Sequence, residues 1–155
     1  MLPVLAIRGT EPGRKDLLET DLRDIGLRGL ALYQSIDMIN YIMRLQGDED
    51  NSTIAQLKVR SVLTPISSPP PDKFLYFEVS NNLTHYYCLE VENNGQGLGE
   101  IQSSDKVVLS GHSLGGHLSA LAQCLFPDLF DETFTYNAPG FDPPANPILS
   151  PGPPM

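Results

Sequence analysis

Positive charge is scarce in this chain: 10 lysines and arginines stand against 19 acidic residues, a formal charge of −9 over 155 residues. No stretch gathers the basic residues into a stripe that follows a phosphate backbone, so nucleic acid is not expected as a partner. Long apolar runs are missing too. None approaches the roughly 20 residues of a spanning helix, and no transmembrane segment is expected. The opening MLPVLAIRGTEPGRKD has no basic stretch followed by a long apolar one, so no secretory signal is read and a soluble chain is expected. The 2 cysteines, Cys88 and Cys124, lie far apart without C-x-x-C spacing and signal neither a metal site nor a redox pair. Two buried thiols and a disulfide both fit that spacing. No internal repeat is visible, and the length suits one domain with a real core.

What is present is a succession of short apolar segments. Pro3-Val4-Leu5-Ala6-Ile7, bounded by Arg8-Gly9-Thr10, reads as a buried strand ending in a turn. Between Gly29 and Gln46, apolar residues at 32, 36, 39 and 43 place one stripe on a helix. A polar stop follows at Gly47–Ser52, and Thr53–Val62 reads as a second short helix before the loop forced by Ser67-Ser68-Pro69-Pro70-Pro71. Lys73–Val79 and Leu83–Val91 are rich in aromatic and β-branched residues and are separated by Ser80-Asn81-Asn82, the pattern of a β-hairpin. Asn93–Gly99 reads as a loop, Lys106–Leu109 as a buried strand, Leu114–Leu125 as a helix stopped by Pro127, and Thr133–Tyr136 as a further short strand. From Ala138 onward half of the chain's 14 prolines accumulate. Proline removes backbone donors and restricts φ, so an ordered fold is expected to end near Phe141.

Within this pattern one motif carries chemistry. Residues 110 to 117 read SGHSLGGH and contain Gly111-His112-Ser113-Leu114-Gly115, a Gly-x-Ser-x-Gly preceded by the strand KVVL and followed by the helix LGGHLSALAQCLF. In that context the serine occupies a sharp turn on which side chains two residues to either side have no room. The turn lifts Ser113 clear of the sheet. The start of the next helix then directs its free amides and positive dipole end toward an anion forming there. The competing reading makes Ser113 an ordinary N-cap, its hydroxyl bonded to the helix.

SGHSLGGHLSALA, taken with LAIRGTE, resembles the lipase class 3 (fungal-lipase-like) family of α/β-hydrolases, and DETFTYNAPGF is similar to the strand after the nucleophile helix in its bacterial members. The resemblance covers most of residues 3 to 46 and 106 to 141. It implies an α/β fold of the α/β-hydrolase type, with a mainly parallel sheet and flanking helices, incomplete at both ends. Residues 1–141 are then a partial lipase-like domain and 142–155 a proline-rich, disordered tail. It implies Ser113 as nucleophile and an oxyanion hole built from Thr10, in the turn after the early strand, and the amide of Leu114. It implies no cofactor and no metal, an ester or lipid as substrate, and is compatible with transient contact with a lipid surface. Members are often secreted, which the start of this chain does not indicate.

The pattern departs from the family at the other triad positions. The order expected along the chain is Ser, then Asp or Glu, then His, yet no histidine follows His117. His117 lies one helical turn past Ser113, where its side chain follows the helix. His112 is inside the turn and is expected to point away, and His85 precedes the serine in the hairpin. Asp128, Asp131, Glu132 and Asp142 come too early for the family's acid. No triad acid or base is therefore assigned, and the chain is expected to be a fragment. The segment from Ser61 to Gly99 is read as edge strands of the sheet in preference to an apolar lid. Carboxylic ester hydrolysis through an acyl-enzyme is the leading functional expectation. The alternative is a catalytically inactive hydrolase-fold fragment or interaction module, and a thioesterase or peptidase on the same turn is not rejected by the motif.

Overall fold

The computed structural model describes residues 2–9, 32–62, 73–80 and 83–140. Thr10, Ser67–Pro71, Asn81-Asn82, Asp142 and the proline-rich tail, each singled out above, lie outside the described residues. The elements in chain order are β1 (Val4–Ile7), α1 (Leu32–Gln46), β2 (Ile54–Val62), β3 (Lys73–Ser80), β4 (Leu83–Gly95), β5 (Val107–His112), α2 (Leu114–Leu125) and β6 (Phe130–Tyr136). They belong to two compact units, Met1–Met38 with Gln102–Met155 and the intervening Ile39–Ile101, and α1 carries the chain from the first into the second.

The first unit contains a three-stranded parallel sheet in the order β1-β5-β6. Val4 aligns with Val108 on one side of β5, and His112 with Tyr136 on the other. Burial alternates along β5, with Val107, Leu109 and Gly111 inside, as a period-two strand against one packed face requires. α2 packs on all three strands. Leu118, Leu121 and Ala122 of that helix are buried along with Leu129 and Phe130 at the start of β6, and Ile7 packs against Leu114 and Leu118. β1 is not the buried strand expected from its composition. Val4 is 64% exposed, because among the described residues β1 has a neighbour only on its β5 side.

The second unit is built on an antiparallel sheet in the order β2-β4-β3. The expected antiparallel pairing is there, with Ser80 opposite Leu83, but it continues to β2 and does not add edge strands to the parallel sheet. β2 overturns the short helix expected at Thr53–Val62. Lys58 and Arg60 are exposed while Leu57 and Val59 are half-buried, a period of two, and the exposed cations meet acids on β4. Lys58 Nζ lies 3.0 Å from Glu92, and Arg60 pairs with both Glu90 and Glu92. β4 runs on to Gly95, into the stretch read as loop, because β2 pairs with it along that length. The helix expected around residues 32–46 is present. Ile36 and Ile39 are buried as the stripe requires, Ile42 and Leu45 join them, and Met43 is half-buried. Asn40 anchors β2 from this helix: its Nδ2 donates to Leu57 O at 2.9 Å and its Oδ1 accepts from Leu57 N–H at 2.6 Å. The end of α1 is capped from a distance, Leu98 N–H donating to Arg44 O at 2.7 Å and Ile101 N–H to Leu45 O at 3.0 Å, so carbonyls left over by the helix find donors.

The molecule is thus mixed α/β with a parallel sheet, as expected. Both cysteines are free, Cys88 buried and Cys124 exposed on α2.

Candidate active site

β5 delivers the chain to His112 at one end of the parallel sheet, and α2 begins at Leu114. Ser113 is the single residue between them, with φ 56° and ψ −125°. That conformation is rare for an L-residue, and it turns the chain within one position. The Ser113 amide donates to Tyr136 O at 2.8 Å, and the Ser113 carbonyl accepts the first helical bond, from His117 N–H at 3.1 Å. The serine hydroxyl makes no cap hydrogen bond to the helix. An N-cap has β-region dihedrals and a side chain bonded to the first turn; Ser113 has neither, so the ordinary capping reading does not describe it.

The flanking glycines make the turn sterically feasible. A methyl group on Gly115 would collide with Ile7 O, and one on Gly111 with Gly115 O. The turn after β1 is pressed against the same place, since a methyl on Gly9 would sit 2.5 Å from His112 O. Thr10, which follows Gly9 directly, lies outside the described residues. Leu114 is buried at the first position of α2, where helix geometry leaves its N–H without an intrahelical acceptor. The amides of the first helical turn therefore face the Ser113 end of the sheet with the positive end of the helix dipole.

The histidines are placed as follows. His112 is exposed, and its Nε2 lies 3.3 Å from Asn137 Nδ2. His117 is fully buried, and its Nδ1 lies 3.1 Å from Pro139 O, the geometry of an N–H donated to a carbonyl. Burial lowers the His117 pKa below its ordinary 6.5, and the bond to Pro139 opposes the shift only in part. His85 belongs to β4 in the other unit, opposite Glu78. Among the acids, Glu132 aligns with Val108, five residues before Ser113, so about 16 Å of strand separates them. Asp131 precedes it, and Asp128 lies before β6, where its carbonyl accepts from Lys106 Nζ at 2.6 Å. Among the described residues no three of His, Cys, Asp and Glu come together in a way that would hold a metal ion.

The segment Tyr136–Pro139 is the part of the site that the motif did not reveal. Asn137 there has φ 49°, a left-handed conformation that asparagine tolerates better than most residues, and that tolerance was the one local cue available.

Comparisons of the chain with protein-family models, curated proteins and solved structures find no match. Among the described residues no helix is long and apolar enough to cross a membrane.

Proposed function

We propose that the chain carries the nucleophile and oxyanion side of a serine hydrolase acting on carboxylic esters, on an α/β-hydrolase-type sheet. The observation that supports this reading is the Ser113 conformation: a strained serine, its hydroxyl making no cap bond to its own helix, between a parallel strand and a helix N-terminus. Ser113 Oγ attacks the ester carbonyl carbon, and the carbonyl oxygen becomes an oxyanion held by the Leu114 amide and by Thr10. Losing one such donor costs about 3 kcal/mol of transition-state stabilisation. Collapse expels the alcohol, which takes the proton that a base removed from the serine, and leaves an acyl-enzyme that water hydrolyses. The substrate class, ester or lipid, follows from the motif pairing RGT with GHSLG and from nothing else in the site.

A second reading, a hydrolase-type module that binds without turnover, is favoured by the histidines. His112 and His117 each direct a ring nitrogen at the segment after β6, to Asn137 and Pro139. Hydrolysis of nitrophenyl acetate and of a long-chain nitrophenyl ester, beside Ser113→Ala, separates the two. Turnover abolished by the substitution supports the hydrolase. No turnover from folded protein, with equal binding of the long-chain ester by both forms, supports the module.

A further inference from the structure

Four consecutive residues, from the last of β6 onward, each meet Ser113 or a residue within four positions of it. Tyr136 O accepts from the Ser113 amide at 2.8 Å, and Asn137 Nδ2 lies 3.3 Å from His112 Nε2. Ala138 Cβ is close enough to Gly116 that a methyl there would lie 2.9 Å from it, and Pro139 O is 3.1 Å from His117 Nδ1. Of these contacts only the last is made by a fully buried side chain. It is also the one furthest along the segment from β6.

We infer that His117 is a positioning residue for Ser113: its Nδ1–H holds Pro139 against α2 and thereby braces the end of β6, where the Tyr136 carbonyl accepts from the Ser113 amide. The inference rests on reading Ser113 as the reactive serine, but its geometric content stands apart from that reading. A serine at φ 56° relaxes toward negative φ unless its surroundings over-determine it. The strand and helix hold its two sides, and the Tyr136 carbonyl holds its amide. That carbonyl belongs to the last residue of β6, which pairs with His112, and the chain leaves the strand there through the left-handed Asn137. A buried imidazole donating to a carbonyl supplies a rigid, single-geometry tether, and it fixes the ring as the Nδ1–H tautomer. The histidine one turn past the serine thus acts through the wall of the site and never touches the reacting atoms.

The test uses the full chain. Long-range ¹H–¹⁵N NMR of the unsubstituted protein is expected to show His117 as the Nδ1–H tautomer; an Nε2–H ring overturns the inference, and this measurement needs no variant to fold. Hydrogen exchange at the Ser113 amide is then compared in His117→Leu and His117→Asn, the latter keeping an N–H donor at the δ position. About tenfold faster exchange is expected at Ser113 in the leucine variant, with Leu121 and Ala122 unchanged and the asparagine variant restored. Unchanged exchange at Ser113, or acceleration spread evenly along α2, overturns it. Where ester turnover is present, kcat is expected to fall in the leucine variant at constant KM. Absence of turnover in the unsubstituted chain would remove the hydrolase reading and leave tautomer and exchange to judge the tether.

Discussion

Ser113 combines φ 56° with ψ −125°, a region that β-carbon sterics leave almost entirely to glycine. Such residues cost on the order of 1–3 kcal/mol and persist where the neighbourhood enforces them. Ser113→Gly is therefore expected to raise stability by about 1 kcal/mol, the relief of strain partly offset by the extra freedom glycine has in the unfolded chain. Thermal unfolding should show a rise of about 2–4 °C, with Ser113→Ala within about 0.5 kcal/mol of the unsubstituted protein. Equal melting of the glycine and alanine variants would mean that the turn is relaxed. A substitution that stabilises while removing the hydroxyl is the expected signature of a position shaped for chemistry.

At the scale of elements, Asn40 does for β2 what a neighbouring strand would do. Its amide offers one donor and one acceptor to the same residue, Leu57, on an outer strand of the antiparallel sheet. Asn40→Ala leaves both backbone groups of Leu57 without that partner in a half-buried place and is expected to cost about 2 kcal/mol. Asn40→Asp keeps the acceptor but sets an oxygen against Leu57 O, and should not recover the loss. A shift in denaturation midpoint at constant m-value is the measurement. β2 is also where local reading failed. Its alternation is clear only over Leu57–Arg60, and the acids that neutralise its cations, Glu90 and Glu92, are some 30 residues further on. α2 and β5, by contrast, match the expected spans to within a few residues, because the Pro127 stop, the glycines of the turn and the apolar runs are all local.

At the scale of the molecule, the two units carry acid-sensitive groups of opposite kind. His117 is held neutral by burial, its pKa below 6.5, so the unfolded chain takes up a proton that the folded chain refuses. The stability it protects is complete above pH 6.5 and is lost as pH falls from 6.5 toward its folded value. Glu92 is lowered below 4.5 by its hydrogen bonds to Lys58 and then Arg60, so its contribution is complete above pH 4.5 and is lost as pH falls through its folded value. Amide exchange at pH 7.5, 5.5 and 3.5 should therefore show α2 and β5 loosening before β2 and β4. The same order in His117→Asn would show that another group sets the first step.

The amino-acid sequence by itself determined the strand, the turn at Ser113 and the helix after it, because glycine sterics, apolar periodicity and the proline stop act within a few residues. It also shows that no histidine follows His117. Only the tertiary structure decided where the nitrogens of His112 and His117 go, that β2, β3 and β4 form their own antiparallel sheet, and that Tyr136–Pro139 walls the site. Those outcomes depend on contacts between residues 20 or more positions apart, such as His117 with Pro139 and Lys58 with Glu92. Their energy exists only once the chain has brought them together.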